Sequence, residues 1–272
     1  MLLPVEAADS ITGALGRSGV NWPLFAGQPV ALTILYRDEH LIAIDKPSGL
    51  LVHRTVLDWT ETRFALQLLR DQIGQRVYPV HRLDRGTSGV LLFALDSDTS
   101  RALAKQFEAG TVGKRYLAVV RGHPPESGEI DHALLRLKDD VDFLGQTLIQ
   151  TEQQALTRYR TLATAEIPVQ VDRYPSSRYA LVELEPVTGR RHQLRRHMKH
   201  ISHPIIGDAT YGKGRHNRLF GELYDSHRLL LVCRMLEFVH PHSGETITLG
   251  AEVGEEFARV MAGLGWGDLE LR

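Results

Sequence analysis

Cysteine is all but missing from this chain. Cys233 stands alone among 272 residues, so no disulfide framework can form, and a reducing, cytoplasmic setting is expected. Long apolar runs are missing too. Nothing approaches the ~20 apolar residues of a membrane-spanning helix, and the opening MLLPVEAADS carries acids where a secretory leader would carry a basic segment. No P-loop, dinucleotide-binding glycine fingerprint or serine nucleophile elbow occurs. One sign of charge is also missing locally. The net charge is only −1, which by itself names no partner, but from Pro186 to Gly207 there is no Asp or Glu. That window holds Arg190, Arg191, Arg195, Arg196 and Lys199 with His192, His197, His200 and His203, and Lys213, Arg215 and Arg218 come just after it. The C-terminal stretch leans acidic instead. A basic patch of this kind suits a polyanion such as nucleic acid, although a solvated helix face gives the same pattern.

What is present reads as a chain of short strands with a few helices. Residues 1–30 have weak periodicity and are expected to form an extended arm, with a single domain over 31–272. ALTILYRDEHLIAIDKP reads as a hairpin, and Pro47 and Gly49 break the strand pattern at its end. FALQLLRDQIG places Phe64, Ala65, Leu68, Leu69 and Ile73 on one helical face, with Gly74 as its stop. VLLFAL, KRYLAVVRG, ALTRYRTLATAEI and RYALVELEPVTG read as strands. SDTSRALAKQFEAG is a helix with a Ser or Asp cap and Gly110 at its end. Residues 123–150 read as a charged, turn-rich excursion. RRHQLRRHMKHI is a helix with Leu194, Met198 and Ile201 toward the core. GKGRHNR reads as a mobile basic loop, RLLLVCRMLEFVHPHSGETITL as a second hairpin, and GEEFARVMAGLG as a closing helix. Strands outnumber helices and often run in hairpins, so the expectation is an α+β fold with a mixed, largely antiparallel sheet.

The densest chemistry lies in HRLDRGTSG, residues 81–89. Asp84 sits between Arg82 and Arg85, where positive charge favours the ionised carboxylate. Such a group can be a nucleophile, a base or half of a structural ion pair. Gly86 and Gly89 allow a sharp turn and a close approach. In the basic helix, Arg191, Arg195 and Lys199 recur every four residues and are expected to share a face, one reaching Asp84 and the others phosphates. His197, His200 and His203 recur every three, but no cysteine or carboxylate lies beside them, so no metal is expected. Tyr116, at the start of KRYLAVV, is either an ordinary strand tyrosine or an aromatic platform for a base.

Taken together, HRLDRGTSGVLL, LIAIDKPSGLLVH, KRYLAVVRG and GRRHQLRRHMKHISHPIIGD closely resemble the motifs of the RluA family of pseudouridine synthases, in the family's order, over about residues 32–250. The resemblance implies an α+β catalytic core with a long mixed sheet and a central cleft. It implies an RNA partner, and KPSGLLVHR, LRDQIG and RYPSSRYALVELEPVTGR are most similar to members that act on position 65 of tRNA. A ribosomal RNA target and a non-catalytic RNA-binding module are the rival readings. By the same resemblance Asp84 is the catalytic aspartate, Arg82 helps expel the target base, Tyr116 stacks on the flipped uracil, Arg195 pairs with Asp84, and Leu194 lines the pocket. Arg191, Arg196 and Lys199 would contact RNA. No cofactor or metal is implied, since the reaction is an isomerisation, and a monomer is expected. Relatives often carry Leu-His-Ala where this chain has Leu231, Val232 and Cys233. That departure bears on local packing or RNA contacts.

Overall fold

The computed structural model describes residues 31–53, 62–137 and 151–271. The arm expected over 1–30 and the second half of the charged excursion lie outside the described residues. The chain opens with the hairpin β1 (Thr33–Arg37) and β2 (Leu41–Lys46), then α1 (Ala65–Ile73), β3 (Tyr78–Pro79), β4 (Ser88–Ala94) and α2 (Ser97–Ala109). Gly74 closes α1 in the left-handed conformation. The side chain of Asp96 caps α2 by accepting from the N–H groups of Asp98 and Thr99, satisfying donors that the first helical turn leaves unpaired. The second half comprises β5 (Gly113–Arg121), β6 (Ser127–Asp131), β7 (Leu134–Leu135), β8 (Glu152–Gln153), β9 (Leu156–Ile167), β10 (Ser177–Pro186), α3 (Gln193–His200), α4 (Gly214–Tyr224), β11 (Leu231–Val239), β12 (Thr246–Gly250) and α5 (Glu255–Gly263).

Ten strands form one mixed sheet in the order β1-β2-β4-β11-β5-β10-β9-β6, with β3 on β4 and β12 on β11. Every pairing in it is antiparallel except β4 with β11. That parallel pairing is short, matching Val232 with Ser88 and Cys233 with Gly89. β4 is buried at all seven positions, as expected for a central strand covered on both faces.

Period-2 alternation sorts the strands of the second half onto two cores. Leu117 and Val119 of β5, Tyr179 and Leu181 of β10 and Val232 of β11 pack with Phe220 of α4 and Phe257 and Val260 of α5. Their neighbours Ala118, Val120, Ala180, Val182, Leu184 and Leu231 face the other way and pack on Leu194 and Met198 of α3. A third core surrounds β2 and β4 with Leu69 and Leu103 of the first two helices. Each fully buried Leu, Ile, Val or Phe contributes ~1.5–3 kcal/mol.

Three expectations are corrected. The segment read as a mobile basic loop begins a helix, α4. Its His216, Leu219 and Phe220 are buried at helical spacing, and packing overrides Gly214 and Gly221 in a basic sequence. The excursion contributes β6, which pairs with β9 at the sheet edge. The basic helix starts at Gln193, after His192 in the left-handed conformation (φ 56°), so Arg191 lies in the turn before it and does not share the helical face of Arg195 and Lys199.

Candidate active site

HRLDRGTSG forms the loop that feeds β4, and KPSGL, the segment after β2, holds it in shape. Gly49 N–H donates to Arg85 O (2.6 Å), the Ser48 hydroxyl donates to Gly86 O (2.7 Å), and Arg85 Nε donates back to Gly49 O (3.1 Å). Lys46 is fully buried, and its ammonium donates to the carbonyls of Pro47, Leu50 and Arg85. Those three acceptors match the three donors of an ammonium, although burial pushes its pKa down to about 7. At the loop's end Gly89 takes φ 105°, and a Cβ there would lie 2.1 Å from Cys233 O. Only glycine lets the two parallel strands close.

This framework presents Asp84 at a cavity of about 370 Å³ lined by Arg82, Asp84, Tyr116, Arg191, Leu194 and Arg195 among others. Arg85, the expected neighbour in charge, donates from its Nε to Gly49 O. The guanidinium bonded to Asp84 is that of Arg195, 111 residues along the chain, whose Nη1 donates to Asp84 Oδ2 at 3.1 Å. Arg195 is itself held by Asp208, which accepts from Nε at 2.7 Å and Nη2 at 2.9 Å. This two-point bond fixes the plane of the guanidinium. Burial works against the charge on Arg195, but Asp208 and then Asp84 outweigh it and hold its pKa above the ordinary value. Burial likewise opposes the charge on Asp208, and the Arg195 bond with the N–H groups of Tyr211 and Thr210 outweighs that, keeping its pKa below the usual carboxylate value. One cation thus serves two carboxylates, and Asp84 receives a single bond from it rather than a fork.

Two further groups complete the wall. His192 Nε2 lies 3.8 Å from Asp84 Oδ1, and its Nδ1 is 3.1 Å from the Tyr211 hydroxyl. Burial lowers its pKa, and Asp84 opposes that shift. The Tyr211 ring lies under Arg195, 5.1 Å from its guanidinium carbon, and 5.7 Å from the Lys199 ammonium. Sequence reasoning missed Asp208, Tyr211 and His192. The pointer to Asp208 was there: it is the first carboxylate after the acid-free window.

Tyr116 is half-buried, in register with Leu184 on one side and Cys233 on the other. Burial first, then Cys233, raises its pKa well above the ordinary value, so the ring is a neutral phenol. Burial likewise pushes the Cys233 thiol up to about 12. Leu194 is buried beneath the cavity, Arg82 is exposed at its rim, Lys199 is exposed, and Arg196 donates to Leu135 O (2.9 Å). His197 is consumed structurally, with ring nitrogens at Thr157 Oγ1 and His132 O. Among the described residues, His197, His200 and His203 form no metal-ligating cluster.

The family model for RNA pseudouridylate synthase matches residues 40–200, a span that contains Asp84, Tyr116 and Arg195. The chain belongs to this family. It is 50% identical over 236 residues to a tRNA pseudouridine synthase C of Haemophilus ducreyi, covering 86% of this chain and 96% of that one. It is 46% identical over 241 residues to the protein of that name from Vibrio parahaemolyticus, covering 88% and 97%. Among solved structures, human RNA Pseudouridylate Synthase Domain Containing 4 superimposes with a TM-score of 0.64 at 25% identity, over 86% of this chain and 93% of that one. This pseudouridylate synthase therefore carries the α+β fold expected from its sequence, and it is an isomerase. Among the described residues no helix is long and apolar enough to cross a membrane.

Proposed function

We propose that this synthase converts one uridine of tRNA to pseudouridine, with Asp84 as the catalytic carboxylate. The observation that carries the reading is the carboxylate of Asp84 at the cavity, aimed by Arg195, with Tyr116 lining the same space. The names of the relatives support tRNA as the substrate, and the sequence resemblance points to position 65.

The reaction breaks N1–C1′, turns the uracil and forms C5–C1′. Atoms and electrons balance within the nucleotide, and the proton leaving C5 moves to solvent as one is gained at N1. The target must leave its stack, at a cost of a few kcal/mol. Arg82, exposed at the rim, would fill the vacated space. Tyr116 would stack on the extruded base, which contributes ~1–3 kcal/mol. The volume of the cavity falls within the ~300–1,000 Å³ of small-ligand sites. Asp84 would then attack C1′, attack C6, or take the C2′ proton, each of which needs an ionised carboxylate in a water-poor site. Arg191, Arg196 and Lys199 would bind phosphates, which positions RNA without reading sequence.

Mapping pseudouridine in tRNA transcripts and in ribosomal RNA, each incubated with wild type and with Asp84→Asn, tests the proposal. A new pseudouridine at position 65 with wild type alone is expected. Modification by both proteins would remove Asp84 from the reaction, and modification of ribosomal RNA alone would overturn the substrate.

A further inference from the structure

At the far end of β4 from Asp84, three turns meet. His40 comes from the β1–β2 turn, Asp96 from the cap of α2, and His242 from the β11–β12 turn. Their ligand-capable atoms all lie within 4.8 Å of one another, and among the described residues no other His, Cys, Asp or Glu group does this. The two imidazoles stack, with centroids 3.5 Å apart and planes 9° from parallel. His40 Nδ1 is 3.4 Å from Asp96 Oδ2. Two ligands of one tetrahedral ion at ~2.0–2.2 Å bond lengths sit roughly 3.3 Å apart, so this pair is already at bridging distance. His242 Nε2 lies 2.8 Å from Thr99 Oγ1, which donates to Asp96 Oδ2 at 2.7 Å. Parallel rings aim their lone pairs side by side, so ligation by both requires the exposed His242 ring to leave the stack as well as that hydroxyl.

The surroundings hold these groups in place independently. Asp96 Oδ1 is fixed by capping α2, which leaves Oδ2 facing the histidines. Asp38 accepts from the N–H groups of His40 and Leu41 and lies 3.0 Å from His240 Nε2. His240 Nδ1 in turn accepts from the N–H groups of His242 and Ser243. This relay ties both histidine-bearing turns together. Outer partners of this kind orient metal ligands.

We propose that His40, Asp96 and His242 bind a zinc-class divalent cation that pins these three turns. Two imidazoles and one carboxylate are a nitrogen-rich, borderline donor set that favours zinc-class ions over magnesium or calcium. Solvent at this half-exposed site supplies the remaining ligand. The reacting end of β4 lies about 20 Å away at ~3.3 Å per residue, so the ion is structural and takes no part in the isomerisation.

The test is titration of metal-free protein with zinc chloride, followed by calorimetry and thermal melts, on wild type, His242→Phe, His40→Phe and His227→Gln. His242→Phe keeps a ring on His40 and removes one ligand at an exposed position, so folding is preserved. His227→Gln removes an exposed histidine elsewhere. One zinc per chain with a rise in Tm is expected for wild type and His227→Gln, with affinity roughly tenfold weaker or worse in the two Phe variants. Equal binding by all four proteins, or none near one per chain, overturns the site. Turnover per folded molecule that falls when zinc is stripped, measured well below both melting temperatures, overturns its structural role.

Discussion

Asp84 and Arg195 meet across 3.1 Å, yet the two walls that carry them are built differently. The Asp84 wall is held through main-chain carbonyls. Those of Pro47, Gly49, Leu50, Arg85 and Gly86 accept from the Gly49 N–H, the Ser48 hydroxyl, the Lys46 ammonium and the Arg85 guanidinium, and the strand beyond closes against a carbonyl at Gly89. The Arg195 wall is held by charge, through the fork with Asp208 and the ring of Tyr211. Carbonyls fixed in the main chain, with a glycine seam that admits no side chain, set the position of Asp84. A fork between two ionised side chains sets the orientation of Arg195 and weakens in steps as partners are removed.

The strongest break in this contrast is the carboxylate that both walls serve. Asp84→Asn is expected to lower kcat by ~10³-fold or more while leaving RNA affinity within a few-fold, read by single-turnover kinetics beside filter binding. Next comes Gly89→Ala, which sets a methyl inside a carbonyl's radius at a left-handed φ. It is expected to cost several kcal/mol and to lower the yield of folded protein, measured by urea unfolding. Asp208→Asn tests the other wall. It leaves Arg195 free to turn, so kcat is expected to fall ~10–100-fold with KM little changed, and the melt should shift by less than in Gly89→Ala. A loss confined to stability would mean that the fork holds fold rather than orientation.

Lys46 sharpens the comparison through pH. Its folded pKa lies below that of a free lysine, so between about pH 7 and the ordinary lysine value the unfolded chain binds the proton more firmly than the folded one. Stability therefore gains from rising pH across that window, by at most ~1.4 kcal/mol per unit. Lys46→Met is expected to lose this slope and to destabilise by ~1–3 kcal/mol through carbonyls left unbonded, read by urea midpoints at pH 7 and 9. The smallest effect belongs to the rim. Lys199→Ala is expected to weaken RNA binding modestly and to reduce the slope of log affinity against log salt by about one unit, with kcat unchanged.

Legibility in the sequence divides along a similar line. The hairpins, β4, both glycine stops and the cap of α2 follow from local pattern, because alternation, caps and stops are written in adjacent residues. The helix α4 was hidden because its glycines and basic residues look like a loop until Phe220 finds its core. At the site, the sequence named Asp84, Tyr116, Leu194 and Arg195, and the structure brings all four to one cavity. Neighbours in the chain did not name the hydrogen-bond partner: Arg85 Nε donates to Gly49 O, and the bond to Asp84 comes from Arg195. Asp208 lay unread because a buried fork joins residues whose pairing has no periodicity.

The narrow parallel seam between β4 and β11 bears on how the molecule is made. Ser88 accepts from Arg228, 140 residues later, whereas β1–β2, β3–β4, β9–β10 and β11–β12 join strands close in the chain. Contacts so distant in the chain close late and slowly, since the loop entropy must be met before they reward it. The seam and the core that β11 and β12 share with β2 and β4 are therefore expected to close late. Asp84 and Arg195 arrive from opposite sides of that seam, so the reactive pair is expected to form only when it closes. Refolding monitored by far-ultraviolet dichroism and by recovery of turnover should show activity lagging behind secondary structure; simultaneous recovery would place the seam in the folding nucleus instead.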